Sequence, residues 1–151
     1  MENHAQSAEI DEIVARHRSS EGPLLPILID IQAAFGCISD DAKRQVASTL
    51  NLSRAEVHGV ASFYHDLRDT PAGKPVVKLC RAEACQARGG EALAEQAETM
   101  AAGRVAIEPV YCLGLCSAGP SAMIGGDVHA RLDADALGVL IHEAALTGVG
   151  A

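Results

Sequence analysis

Four of the five cysteines form two closely spaced pairs in the second half of the chain. Cys80 and Cys85 lie in the segment CRAEAC, and Cys112 and Cys116 lie in the segment CLGLC. Clustered thiolates are ligands for zinc and for iron–sulfur clusters, because both bind soft sulfur donors. The two pairs predict one metal site, provided that the fold brings them together.

The segments around the cysteines indicate how the fold can do this. An apolar, β-branched run precedes each pair, PVVKL before Cys80 and RVAIEPVY before Cys112, and the helix-like segment GGEALAEQAETMAAG lies between them. A right-handed β-α-β crossover places the ends of its two parallel strands at the same edge of a sheet. We therefore expect the two cysteine loops to lie side by side, so that four sulfurs can converge on one point.

The rest of the second half predicts the order β-α-β-β-β-α, which is a reduced thioredoxin-like fold. Gly125-Gly126-Asp127 is a hairpin signal between the last two strands. Gly103 and Gly148 follow the two helices, where a glycine commonly takes the left-handed conformation. The predicted strands cover 76–79, 105–111, 122–124 and 128–132. The predicted helices cover 90–102 and 134–146, and Asp133 is expected to cap the second of them.

The first half predicts a small bundle of four short helices. Residues 1–7 are expected to be frayed, and Ser53-Arg54-Ala55-Glu56 fits a capping box at the start of the last helix. The first three helices are predicted at 8–18, with Ser7 as N-cap, at 23–35 and at 39–50. The segment DLRDTPAGKP then reads as a linker. We therefore predict an α+β protein with a helical bundle at 1–70, a linker at 71–75 and a cysteine domain at 76–151.

Composition and charge exclude several classes of function. The chain has 151 residues, 48% of them hydrophobic and only 3% aromatic, and its net charge is −8. Nucleic-acid binding requires a basic face that neutralises phosphates, so this acidic chain is not expected to bind nucleic acid. The polar N-terminus lacks the features of a secretory signal, and no apolar run is long enough to span a membrane. We expect a cytoplasmic protein whose thiols stay reduced.

The spacing of the thiols favours a 2Fe–2S cluster, while other interpretations stay open. Such a cluster needs four thiolates and loops of small residues that approach it closely, and Gly114 and Gly119 are among the small residues present. Arg81 and Arg88 could favour the negative charge added on reduction, although they also suit a role as solvated loop cations. Zinc remains an alternative, whereas a C-x-x-C redox pair is absent and disulfides do not suit the compartment.

No other part of the sequence indicates a substrate or nucleotide site. No histidine lies in the cysteine loops, as a Rieske centre would require, and no G-x-G-x-x-G follows a strand, so the chain itself is not expected to bind NAD. Cys37 lies near a helix end and is expected to be a buried thiol that behaves as a small hydrophobe. Phe63 and Tyr64 are expected to pack the helices or to dock them on a partner.

The segments CRAEACQARGG and PVYCLGLCSAGPSAMIGGDVHARLD resemble a known family. They are similar to the thioredoxin-like 2Fe–2S small subunit of NADH dehydrogenase modules, including that of respiratory complex I. PLLPILIDIQAAFGCIS and VHGVASFYHDLR look like the helical part of the same subunit, so the resemblance covers roughly residues 20–147. Within this group, KLCRAEACQA, PVYCLGLCSAGPSAMIGG and ASFYHDLR most resemble the gamma subunit of soluble NAD-dependent formate dehydrogenases.

The resemblance implies a function and a ligand set. It implies that Cys80, Cys85, Cys112 and Cys116 hold one 2Fe–2S cluster, and that Cys37 is not a ligand. It implies a non-catalytic electron-transfer chain that exchanges single electrons with the FMN of a flavoprotein (beta) subunit. FMN, NAD and the molybdenum cofactor would lie in partner subunits, the last in a catalytic (alpha) subunit that oxidises formate to CO2 as NAD+ becomes NADH.

Three alternatives remain beside this interpretation. The first is the equivalent small subunit of an NADH–quinone oxidoreductase or of an NAD-reducing hydrogenase. The second is a zinc-bound, thioredoxin-like interaction module without a redox role. The third is a free-standing, dimeric ferredoxin that moves between partners, which the additional helical arm disfavours.

Overall fold

The computed structural model of the protein describes residues 2–148. The chain divides into two compact units, Met1–Ala72 and Gly73–Ala151. Among residues 2–148, no helix combines the length and the apolar character that crossing a membrane requires.

The first unit consists of four helices that share one apolar core. They are α1 (Glu2–His17), α2 (Leu24–Phe35), α3 (Asp40–Leu50) and α4 (Arg54–Phe63). Ile27, Leu28 and Ile31 of α2 are fully buried in this core, which explains why α2 is apolar around most of its circumference. Gly36 ends α2 in the left-handed conformation, with φ 75°.

The start of α1 differs from its prediction. The helix begins at Glu2 and not at residue 8, so the expectation of frayed residues is wrong for 2–7, while Met1 lies outside the described residues. One reason is a contact from another helix: Gln45 Nε2 donates hydrogen bonds to the Ser7 carbonyl at 2.7 Å and to Asp11 Oδ1 at 2.8 Å. Ser7 is therefore inside the helix and is not its N-cap.

The capping box at the start of α4 is confirmed. The Ser53 hydroxyl accepts a hydrogen bond from the Glu56 N–H at 3.2 Å, and Glu56 Oε2 accepts from the Ser53 N–H at 2.8 Å. Hydrogen bonds from the Ser53 N–H and hydroxyl lower the pKa of Glu56. Its contribution to stability is therefore present above the carboxyl pKa of the unfolded chain and is lost as pH falls through the folded-state pKa.

We expect Glu56→Gln to remove part of the acid sensitivity of the fold. A glutamine oxygen still accepts the Ser53 hydrogen bonds but does not titrate. The difference in unfolding free energy between the wild-type protein and Glu56→Gln should therefore become smaller as pH falls from 7 to about 3. Urea unfolding of both proteins across that range measures this difference. A difference in unfolding free energy that stays constant with pH would show that the charge of Glu56 does not contribute to the stability of the fold.

The second unit is built on a four-stranded sheet. Its strands are β1 (Val76–Cys80), β2 (Ala106–Val110), β3 (Ala122–Ile124) and β4 (Asp127–His129), in the order β2-β1-β3-β4. The β1–β2 pair is parallel, and the other two pairs are antiparallel. The helices are α5 (Glu83–Gln86), α6 (Gly90–Ala101) and α7 (Ala134–Thr147). Leu79, Ala97, Leu137 and Ile141 are central members of their common core.

The α+β class, the parallel strand pair and the terminal hairpin are confirmed, and several element bounds differ from the prediction. A one-turn helix, α5, lies within the first cysteine loop. Helix α6 ends before Ala102, which takes the left-handed conformation one residue ahead of Gly103. Strand β4 ends at His129 and does not reach residue 132, because the N–H groups of Arg131 and Leu132 donate to the carbonyls of Ala118 and Pro120.

Candidate metal centre

The parallel strands carry both cysteine pairs to one edge of the sheet. Cys80 is the last residue of β1 and lies opposite Val110, the last residue of β2. The Arg81 N–H donates to the Val110 carbonyl at 2.8 Å, and the Cys80 N–H donates to the Ser121 carbonyl at 2.9 Å. The predicted placement of the two loops is therefore what the structure shows.

The two pairs differ in their exposure to solvent. Cys80 and Cys85 are buried, at 1% and 2% exposure, and we call them the inner pair. Cys112 and Cys116 are exposed and form the outer pair. The outer sulfurs are 3.5 Å apart, well beyond the ~2.05 Å of a disulfide. All four are free thiols.

Backbone N–H groups of the outer loop reach a sulfur of the inner pair. Burial alone raises the pKa of Cys80, but hydrogen bonds from the Ala82 N–H, the Cys85 thiol and the N–H groups of Cys112 and Leu113 outweigh it, and the net pKa is lowered. The Gly114 N–H donates to Cys112 Sγ at 3.3 Å. These donors stabilise thiolates, which is the form that binds metals.

Cys116 of the outer pair resists ionisation in the absence of a cation. The hydrogen bond between the Cys116 and Cys112 thiols is the main cause that raises the pKa of Cys116, and the negative charge of Cys112 is the second. Two adjacent thiolates repel each other, and a metal ion bound to both removes that cost. Cys112 also has φ 92°, an unusual conformation for a residue with a side chain and one that is common at functional sites.

The thiols meet as two pairs and not at a single point. Among residues 2–148, no three or more Cys, His, Asp or Glu side chains are grouped so as to hold one metal ion. A binuclear 2Fe–2S centre takes two protein ligands on each iron. The donor set of two thiol pairs with surrounding N–H donors therefore fits such a cluster.

Two glycines shape the space around Cys85. A Cβ built on Gly119 would lie 2.9 Å from Cys85 Sγ, and a Cβ on Gly90 would lie 2.6 Å from the Cys85 carbonyl oxygen. Both distances are shorter than real Cβ contacts allow. The sequence indicated Gly90 only as a residue that opens a helix, whereas its missing side chain lets α6 pack directly on the Cys85 backbone.

Ser121 is a site residue that the sequence did not single out. It is 1% exposed, and its Oγ lies 3.6 Å from Cys85 Sγ. Its position after the small residues of the segment CSAGPS is the signal that could have indicated it. A buried hydroxyl next to a cysteine sulfur supplies a hydrogen bond without admitting water.

The side chains of Cys37 and Arg81 are not among these contacts. Cys37 belongs to the first unit and is half-buried rather than buried, because its neighbour Ile38 takes the core position. Arg81 forms an ion pair with Glu91, with Nε 2.9 Å from Oε1.

Comparison with known proteins gives the family. Residues 10–145 match the family described as "Thioredoxin-like [2Fe-2S] ferredoxin". This match supports an iron–sulfur cluster as the cofactor of the chain. It also supports the general interpretation of the chain as a 2Fe–2S electron-transfer subunit.

Individual relatives and solved structures agree with this match. One NADH-quinone oxidoreductase subunit of Rhizobium meliloti (strain 1021) is 30% identical over 142 residues, which cover 88% of this chain and 84% of that protein. A subunit of the NADH-quinone oxidoreductase of Escherichia coli (strain K12) is 27% identical over 146 residues, covering 91% and 88%. An NAD+-reducing [NiFe]-hydrogenase in the air-oxidised state shares the fold, with a TM-score of 0.69 and 24% identity.

The hydrogenase chain is much longer than this one. The match covers 83% of this chain but 23% of the hydrogenase chain. The family match, by contrast, spans almost all of the described residues and both cysteine pairs. This chain therefore belongs to the thioredoxin-like [2Fe-2S] ferredoxin family.

Proposed function

We propose that Cys80, Cys85, Cys112 and Cys116 are the ligands of one 2Fe–2S cluster, and that the chain transfers electrons within an NAD-dependent formate dehydrogenase. The observation that carries the ligand assignment is the geometry at the end of β1, where Cys80 is the last residue of the strand and the Arg81 N–H donates to the Val110 carbonyl at 2.8 Å. These contacts hold the first cysteine loop against the residues that lead into the second. The family supports the cofactor, and the similarity of the segments quoted above supports the formate enzyme.

When bound, the cluster accepts and gives one electron at a time, which lets a chain without a substrate site serve a partner flavin. The inner pair holds its side of the site away from water, because both thiols are buried. The N–H groups around Cys80 and Cys112 stabilise negative charge on sulfur. The exposed outer pair offers the side at which an electron can pass to a neighbouring protein.

The proposed partners are an FMN- and NAD-binding flavoprotein and a molybdenum-containing subunit that oxidises formate, in the cytoplasm. The named relatives belong to NADH–quinone oxidoreductases and to an NAD+-reducing hydrogenase, which supports NAD chemistry in the parent complex. The small subunit of an NADH–quinone oxidoreductase is the second candidate, favoured by the 30% identity. To distinguish the two candidates, the complex is purified through an affinity tag on this chain. It is then assayed for NAD+ reduction by formate and for NADH oxidation by a quinone.

The test of the cofactor is electron paramagnetic resonance on the anaerobically purified, dithionite-reduced protein, with iron, sulfide and zinc quantified in the same sample. We expect a rhombic signal and about two irons and two sulfides per chain. Stoichiometric zinc without iron would establish the alternative, a structural zinc module. The electron-transfer proposal would then be abandoned.

We expect Ser121→Ala to lower the reduction potential of the cluster. The hydroxyl 3.6 Å from Cys85 Sγ stabilises the charge added on reduction. A neutral hydrogen bond contributes about 1 kcal/mol, which corresponds to ~40 mV for a one-electron couple. A redox titration monitored by paramagnetic resonance measures the shift. Ser62→Ala is the control, because the Ser62 hydroxyl bonds a carbonyl of its own helix, and an equal shift in both variants would contradict the assignment.

We further propose that the first unit docks the chain on the flavoprotein. Phe63 and Tyr64 are 74% and 42% exposed, and their rings contact each other edge to face with centroids 5.2 Å apart. They border an apolar groove of about 960 Å³ that Leu24 and Leu25 also line. Exposed aromatic residues beside an apolar groove are typical of protein interfaces.

Phe63→Asp is expected to weaken binding of the flavoprotein by at least ~30-fold without loss of the cluster, because truncated aromatic anchors commonly cost about 2 kcal/mol or more. Co-purification from cells that express both chains, with iron content measured in parallel, checks this. Val139→Asp is the matched control, since Val139 is 57% exposed on α7. Undiminished recovery of the flavoprotein with Phe63→Asp would contradict the docking role.

A further inference from the structure

Arg88 lies against the buried side of the cysteine site. Its N–H donates to the Cys85 carbonyl at 3.1 Å, in the turn between α5 and α6. The position that a Cβ on Gly119 would occupy is 3.5 Å from Arg88 Cδ and 2.9 Å from Cys85 Sγ. The arginine stem and the cysteine sulfur therefore flank the same small space, which only a glycine leaves open.

The other cation of this loop is already neutralised. Arg81 contacts the Glu91 carboxylate through two of its nitrogens. Within residues 2–148, by contrast, Arg88 forms no ion pair with a carboxylate, and the residue is exposed. The charge that Arg81 presents to the cysteines is offset by Glu91, whereas that of Arg88 is not.

We propose that Arg88 is a positioning residue that raises the reduction potential of the cluster by holding a positive charge beside Cys85. The inference rests on the proposed function, because it requires a 2Fe–2S cluster on the four cysteines. Reduction adds one electron, and hence one negative charge, to a centre whose four thiolate ligands already make it anionic. A fixed neighbouring cation stabilises the reduced form more than the oxidised form.

The size of the effect is limited by solvent. Because Arg88 is exposed, water and salt screen part of the field of its charge. The electrostatic origin can therefore be recognised by its salt dependence. At 1 M ionic strength the screening length is only about 3 Å, so most of the contribution of Arg88 should disappear.

The experiment is a redox titration of the full-length, cluster-loaded protein, monitored by paramagnetic resonance. Arg88→Met keeps an unbranched stem without the charge, Arg88→Lys keeps the charge, and Arg104→Met removes a cation beyond the far end of α6. At the potential at which half of the wild-type protein is reduced, we expect the ratio of reduced to oxidised protein to be about three- to tenfold lower in Arg88→Met. A tenfold fall corresponds to ~59 mV for one electron. Arg88→Lys and Arg104→Met should stay within about twofold of wild type.

Each outcome decides the inference. A low ratio in Arg88→Met that Arg88→Lys restores, and that approaches wild type at 1 M salt, supports it. A ratio within twofold of wild type in Arg88→Met, or an equal fall in Arg88→Lys, overturns it while leaving the cluster assignment intact. Absence of iron and of the resonance signal in the wild-type protein overturns both, so the two failures are distinguishable.

Discussion

Replacing Cys112 with serine is expected to remove the 2Fe–2S cluster from the protein as purified. Cys112 is a proposed ligand, and it lies in a loop with an unusual backbone conformation, φ 92°, whose N–H groups lower the pKa of Cys80 in the inner pair. Substituting a residue that merely supports a metal ligand costs roughly 10- to 100-fold in metal affinity, so loss of a ligand itself should cost at least as much. Iron and sulfide content, together with the visible spectrum, measures the loss.

Cys37→Ser provides the control for this substitution. Cys37 is a free, half-buried thiol of the first unit, so its replacement removes one thiol from the protein without touching the two pairs. It should retain about the wild-type content of iron. An unchanged cluster spectrum in Cys112→Ser, or equal losses in both variants, would rule out Cys112 as a ligand.

Gly119→Ala is expected to weaken both the fold and the cluster. The added methyl group would lie 2.9 Å from Cys85 Sγ and 3.5 Å from Cys85 Cα, and Cys85 is only 2% exposed and cannot retreat into solvent. Forcing one methyl group into a closely packed interior typically costs about 1–3 kcal/mol of unfolding free energy. Here the displaced atom is also a proposed ligand, so we expect iron content to fall together with stability.

Gly126→Ala is the matched control for this second substitution. Gly126 also lies in the cysteine domain, but a Cβ built there has no heavy atom within 4 Å. Urea unfolding of the metal-free proteins measures the packing effect, and iron content after reconstitution measures the effect on the site. Wild-type values for Gly119→Ala in both measurements would show that the loop accommodates a side chain and that Gly119 does not shape the site.

Much of the element order followed from local patterns. Ser53 and Asp133 accept hydrogen bonds from the N–H groups of Glu56 and Ala136, as their predicted capping positions indicated. Gly36 and Gly148 end their helices in the left-handed conformation. These features depend on contacts between residues close in the chain, and such contacts can be inferred from sequence.

Other features depended on contacts between distant residues. Helix α1 starts earlier than its capping pattern indicated, where Gln45 of α3 contacts its early turns. Strand β4 stops early because its continuation bonds to the loop at Ala118 and Pro120. No local periodicity of the sequence reveals such bonds, since their partners are remote in the chain.

The candidate centre shows the same division. The sequence alone predicted that the two cysteine pairs would meet at one edge of a parallel strand pair. The spacing of the thiols and the apolar run before each pair define a β-α-β unit, and the right-handed crossover of such a unit follows a general rule. Only the tertiary structure decided that Cys80 and Cys85 are buried while Cys112 and Cys116 are exposed. Only it placed Ser121 and Gly119 beside Cys85, because side-chain packing across the sheet edge joins residues that no sequence pattern connects.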